Sequence, residues 1–102
     1  MTQYYVVEYT YLADTTLQDI HRPAHLAYIQ QRVEQGELVV SGPLAADEIP
    51  GGILIYRAAD RRAVEKFVDE DPFVIHGVVQ ERRIHGWRPL TGDISSFPAV
   101  NG

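Results

Sequence analysis

The chain has 102 residues, 45% of them hydrophobic, which is enough for one compact domain and too short for two. Nine Lys and Arg against fourteen Asp and Glu give a net charge of -5, which disfavours nucleic acid and anionic lipid as partners. There is no cysteine, so disulfides and thiolate chemistry are excluded and any zinc would depend on His and carboxylates alone.

The opening residues Met1 to Glu8 lack the basic start and apolar run of a signal peptide, and no apolar stretch approaches the roughly 20 residues that span a bilayer. The expectation is a cytoplasmic protein without a membrane partner. Tyr4 to Tyr11 reads as the first strand, with Tyr5, Val7, Tyr9 and Tyr11 on one face and Tyr4, Val6, Glu8 and Thr10 on the other. Asp14-Thr15-Thr16 punctuates the chain. Pro23 suits the first turn of a helix running to about Gln35, which Gly36 terminates, and Leu26, Ile29 and Val33 should face the core.

Leu38 to Ser41 is a second strand, stopped by Gly42-Pro43, and after a connection from Leu44 to Pro50, Gly51-Gly52 opens a third from Ile53 to Tyr56. Asp60 is placed to cap a helix through Val68 whose buried stripe is Ala63, Val64, Phe67 and Val68. Asp71-Pro72 begins a short helical piece that Gly77 ends, with Asp71 as N-cap and Pro72 at the first helical position. Val79 to Trp87 forms the last strand, charged along both faces. Residues 1–90 make the domain, and residues 91–102 read as an irregular tail.

Strand, helix, strand, strand, helix, strand predicts an α+β, ferredoxin-like βαββαβ unit with a four-stranded antiparallel sheet. Because both faces of the first strand carry Tyr or Val, a second sheet should cover the face the helices leave open. With no spare strand in the chain, that sheet comes from another copy, which makes a homodimer.

Two short strings carry the chemistry. Arg22-Pro23-Ala24-His25-Leu26 and Asp71-Pro72-Phe73 each set an ionisable group near a helix start. If folding joins them, His25 and Asp71 become an imidazole–carboxylate pair in which the carboxylate holds one tautomer and leaves the other ring nitrogen for a substrate. The structural alternatives are a packed or surface histidine and an aspartate that only caps its helix, and one carboxylate can do both jobs. Arg22 suits a phenolate or carboxylate of a substrate, or equally a surface salt bridge to Asp14 or Asp19. Ser41 stands at a strand end where its hydroxyl could face a pocket or simply serve the turn. His85, beside Trp87, is a better pocket candidate than His76. His21 and His25 are four apart, but Pro23 sets His21 at or before the first turn and no His-Glu-x-x-His pattern follows, so no metal is assigned. Gly51-Gly52 lacks the Lys-Ser or Lys-Thr of a phosphate loop.

In order, Arg22-Pro23-Ala24-His25-Leu26, Gln35-Gly36-Glu37-Leu38, Ser41-Gly42-Pro43, Gly51-Gly52 and Asp69-Glu70-Asp71-Pro72-Phe73 make the chain, from Tyr4 to Leu90, resemble the YCII-related (YciI-like) family. The resemblance implies a ferredoxin-like subunit that pairs through its sheet into a dimeric α/β barrel. It also implies a His and Asp active-site pair at His25 and Asp71. Dehydrochlorination of a chlorinated hydroxyhydroquinone and lactone isomerisation are reactions associated with this family and its architecture. The expected function is therefore a cofactor-independent acid/base enzyme, a lyase or isomerase for a small aromatic or lactone-like compound, with Arg22, Ser41 and His85 binding substrate. A non-catalytic dimeric module that binds a small molecule is the alternative from another class.

Overall fold

A computed structural model describes residues 2–93, so most of the tail expected over 91–102 lies outside the described residues. The elements run β1 (Gln3–Tyr11), α1 (Thr16–Glu34), β2 (Leu38–Pro43), β3 (Gly51–Ala58), α2 (Arg61–Asp69), α3 (Pro72–Ile75) and β4 (Val79–Trp87). The four strands form one antiparallel sheet in the order β2-β3-β1-β4, the ferredoxin-like arrangement.

Alternation in β1 decides which sheet face is covered. Tyr5, Val7, Tyr9 and Tyr11 are buried and share a core with Leu54 and Tyr56 of β3, Ile29 of α1, Val64 and Val68 of α2, and Phe73 of α3. The helices thus lie on one face. On the other, register sets Val6 between Ile55 and His85, and Glu8 between Ile53 and Arg83. That face mixes half-buried Val and Ile with a charged strip along β4. As the last strand in the order, β4 is an edge, where charge blunts further strand addition.

The first helix departs from expectation in two ways. It begins at Thr16 and takes Pro23 into its interior, because Asp14 accepts the Thr16 N–H at 2.9 Å and the Asp19 N–H reaches the Thr15 carbonyl, closing a turn well upstream of the proline. Pro23 withdraws one donor from the helical ladder without ending it. His25 accordingly sits in mid-helix, and the partial positive charge of the helix start is remote from it.

The buried face of this helix is also rotated from the Leu26-Ile29-Val33 stripe. Ile29 is buried, but Leu26 is 56% and Val33 42% exposed, while His25, Tyr28 and Arg32 turn inward. These residues have apolar bodies and polar ends, and the ends find partners beneath the helix. His25 reaches Asp71, the Tyr28 hydroxyl donates to the Phe67 carbonyl at 2.6 Å, and Arg32 bonds Glu37 at 2.7 Å.

Termination follows the sequence signals. Gly36 adopts φ +76° after the helix, and its N–H and that of Glu37 return to the Val33 and Arg32 carbonyls. Asp60 caps α2 by accepting the Ala63 N–H at 3.0 Å. Among the described residues no helix is long and apolar enough to cross a membrane.

Candidate functional site

Asp71 is wholly buried, and the reason it can be is local. As N-cap of α3, with Pro72 following, its Oδ1 accepts the Phe73 N–H at 2.9 Å. The same oxygen accepts from His25 Nδ1 at 2.7 Å, and Oδ2 accepts the Tyr9 hydroxyl at 2.9 Å. Three donors from three elements thus converge on one carboxylate, compensating its removal from water.

This geometry fixes the imidazole. A carboxylate only accepts, so His25 must carry a proton on Nδ1, and the atom it has left to offer is Nε2. Phe73 lies flat against the ring, centroids 3.9 Å apart and planes 1° from parallel, and Tyr11 meets Phe73 edge-on at 5.5 Å. Orientation is therefore set by a hydrogen bond at one end and by stacking across the face. An imidazole so held can take or give a proton at Nε2 without reorienting.

A cleft of about 310 Å³ opens beside it, between α1 and the ends of β1, β2 and β3. From the helix come Gln18, Arg22, His25, Leu26 and Ile29, while Tyr11, Ser41, Pro43 and Leu54 belong to the sheet. The lining is largely apolar with a few polar ends, as small-molecule sites generally are. Burial and the Asp71 charge push the Tyr11 hydroxyl up to about 12, with Arg22 pulling against them. Burial first, and then Asp71, push Tyr9 far above the ordinary tyrosine value. Both phenols are neutral donors near neutral pH.

The structure brings His25, Asp71, Arg22 and Ser41 to one place and leaves His85 elsewhere. His85 pairs with Glu8 at 3.0 Å on the open sheet face, because β4 register puts it beside Val6 and away from the helices. It therefore takes no part in this cleft. Arg22 lines the cleft and also bonds Asp19 at 2.9 Å, an exposed pair of little energetic weight. His21 lies within α1 after all, but it stacks on His76 at 3.9 Å, and no group of three or more metal-ligating side chains occurs among the described residues.

Sequence reading did not assign Tyr9, Phe73 or Tyr11 to this neighbourhood. The available signal was weak: a tyrosine on a core-facing strand position must find an acceptor, but nothing local names which one.

A four-stranded antiparallel sheet with its helices on one face, and a sheltered cleft between the two layers, defines a ferredoxin-like α+β fold. Within it the chain belongs to the YCII-related family, whose domain matches residues 2–88. Among solved structures, it is similar to the 5-chloro-2-hydroxyhydroquinone dehydrochlorinase of Burkholderia phenoliruptrix AC1100 in complex with 2,5-dihydroxybenzoquinone. The TM-score is 0.70 and the identity 24%, over 83% of this chain and 93% of that one. A nipsnap family protein of unknown function from Agrobacterium tumefaciens gives a TM-score of 0.55 at 12% identity, over 91% and 92% of the two chains. Rv0793 of Mycobacterium tuberculosis gives 0.54 at 9% identity, over 90% and 98%. At these identities the likenesses establish the fold. No curated protein matches the sequence.

Proposed function

We propose that the protein is a cofactor-independent acid/base enzyme, a lyase or isomerase, whose substrate is a small aromatic or lactone-like compound bound in the cleft. The observation that carries this reading is the buried Asp71 carboxylate, held by three donors. Accepting from Tyr9, Phe73 and His25, it holds the imidazole and leaves Nε2 as the working atom.

In the forward sense, Nε2 removes a proton from the bound compound, and the electron pair left behind either moves to a neighbouring carbon or expels a leaving group such as chloride. Asp71 stabilises the imidazolium that forms, Arg22 and Ser41 steady negative charge developing on a substrate oxygen, and the ring then returns its proton, to another substrate atom in an isomerisation or to solvent alongside the departing chloride in a loss of HCl. No electrons are gained or lost by the protein, so side chains suffice. The likeness to a dehydrochlorinase supports loss of HCl from a chlorinated hydroquinone as the first reaction to try.

The active form is a homodimer joined through the open sheet face. Its half-buried Val6, Ile53 and Ile55 support that reading, since they form an apolar centre that no helix among the described residues covers.

Chloride release from 5-chloro-2-hydroxyhydroquinone, measured with wild type, His25→Ala and Asp71→Asn, tests the chemistry. Turnover should fall by about 10²- to 10⁴-fold in each variant. Equal rates in all three proteins would remove the pair from the mechanism.

A further inference from the structure

Tyr11 keeps 8% of its surface exposed, lines the cleft, and makes no side-chain hydrogen bond among the described residues. The groups that hold the buried pair are engaged with each other: Tyr9 donates to Asp71, and His25 and the Phe73 N–H do the same. A phenol that reaches a cleft without a side-chain partner has its donor left over for whatever the cleft holds.

Packing supplies the orientation. The Tyr11 ring is held edge-on by Phe73, the same ring that stacks on His25, so both polar ends are referenced to one rigid plane. Beneath it, Gly52 faces the same side of the sheet as Tyr9, its register partner. A Cβ placed on Gly52 would stand 2.9 Å from the Tyr11 oxygen and 3.3 Å from the Gly42 carbonyl. The glycine therefore clears the floor on which the phenol lies. Arg22, on the helix above, is close enough for its charge to act on the Tyr11 hydroxyl.

We propose that the Tyr11 hydroxyl, seated over Gly52, is a ligand anchor in the cleft that donates a hydrogen bond to the oxygen of a bound enolate or phenolate, with Arg22 sharing the negative charge. The ligand class follows from the donor set. A neutral phenol facing a guanidinium wants an anionic oxygen, the surrounding Leu26, Ile29 and Leu54 want an apolar body, and the flat Phe73–His25 stack favours a planar one. This rests on the acid/base reading only for the role of the anchored oxygen in turnover, since binding needs no proton transfer at His25.

The test uses 2,5-dihydroxybenzoquinone, an acidic planar enol, as the binding probe, and chloride release from 5-chloro-2-hydroxyhydroquinone as the turnover readout, on wild type, Tyr11→Phe, Gly52→Ala and His25→Ala. Tyr11→Phe keeps the ring contact with Phe73 and should weaken probe binding by about 10- to 100-fold, as loss of a hydrogen bond to a charged group does, with thermal unfolding unchanged. Gly52→Ala retains the hydroxyl but displaces it, and should weaken binding in the same direction. His25→Ala should bind the probe while losing turnover.

Wild-type affinity in Tyr11→Phe, or no binding of the probe to wild type, would overturn the anchor. Should Tyr11→Phe lose binding while wild type never releases chloride, the anchor stands and the acid/base reading falls.

Discussion

Replacing Tyr9 by Phe removes one oxygen from a site where three donors meet a single buried carboxylate. Asp71 Oδ1 would keep the Phe73 N–H and His25 Nδ1, but Oδ2 would lose the one partner it has among the described residues. Tyr9 is 2% exposed and Asp71 fully buried, so bulk water does not take its place. An acceptor stranded in this way costs about 1–3 kcal/mol, toward the upper end when it is charged. For a domain near this size, each kcal/mol lowers the melting temperature by about 4–8 °C, so a fall of roughly 5–20 °C is expected. Calorimetry and urea unfolding would measure it, with the urea slope unchanged because the buried area hardly changes. A double-mutant cycle sharpens the test. In Tyr9→Phe combined with Asp71→Asn the stranded group is uncharged, so the combined loss should be smaller than the sum of the single losses by about 0.5–3 kcal/mol. Wild-type stability in Tyr9→Phe, or strict additivity in the cycle, would refute the idea that the hydroxyl supports a buried charge.

Alkali provides a second test. Tyr9, Tyr11, Tyr28 and Tyr56 all have hydroxyls raised above the ordinary value near 10, chiefly by burial, with Tyr11 and Tyr28 pushed to about 12. The unfolded chain releases these protons first. The stabilisation is therefore fully present below pH 10 and is lost as pH rises through 10 toward 12; a urea midpoint flat across that range would contradict it. Third, Ile55→Lys sets a charge at the centre of the open sheet face, beside Val6 and Val40. Sedimentation is expected to give a dimer for wild type and a monomer for this variant, and an unchanged assembly would place the interface elsewhere.

The fold was legible where local chemistry is strong. Alternation in β1, the Asp60 cap and the glycine that ends α1 are each signalled by a few neighbouring residues, and the architecture follows from their order. The start of α1 was misread because Pro23 favours a first turn, whereas the Asp14 side chain and the Thr15 carbonyl had already nucleated helix upstream. The inward turn of His25 and Arg32 at the expense of Leu26 and Val33 escaped a hydrophobicity pattern, since it is driven by polar partners, Asp71 far along the chain for His25 and Glu37 just past the helix end for Arg32. The same limit separates the two halves of the site. His25 and Asp71 were found through their motifs, while Tyr9 and Phe73, which orient them, look like ordinary core residues until the chain is folded. His85 shows the converse: its residue type suggested a pocket, and strand register decided otherwise.

Asp71 holds α3 in place and grips His25 with the same oxygen. Architecture and chemistry are thus welded at one position while remaining separable at the other. A descendant without the proposed reaction could exchange the imidazole for a neutral filler at the cost of one donor to Asp71, whereas loss of the aspartate would also remove the cap of α3. Within such a lineage, a surviving aspartate would say little about catalysis, and the fate of residue 25 would be the informative record.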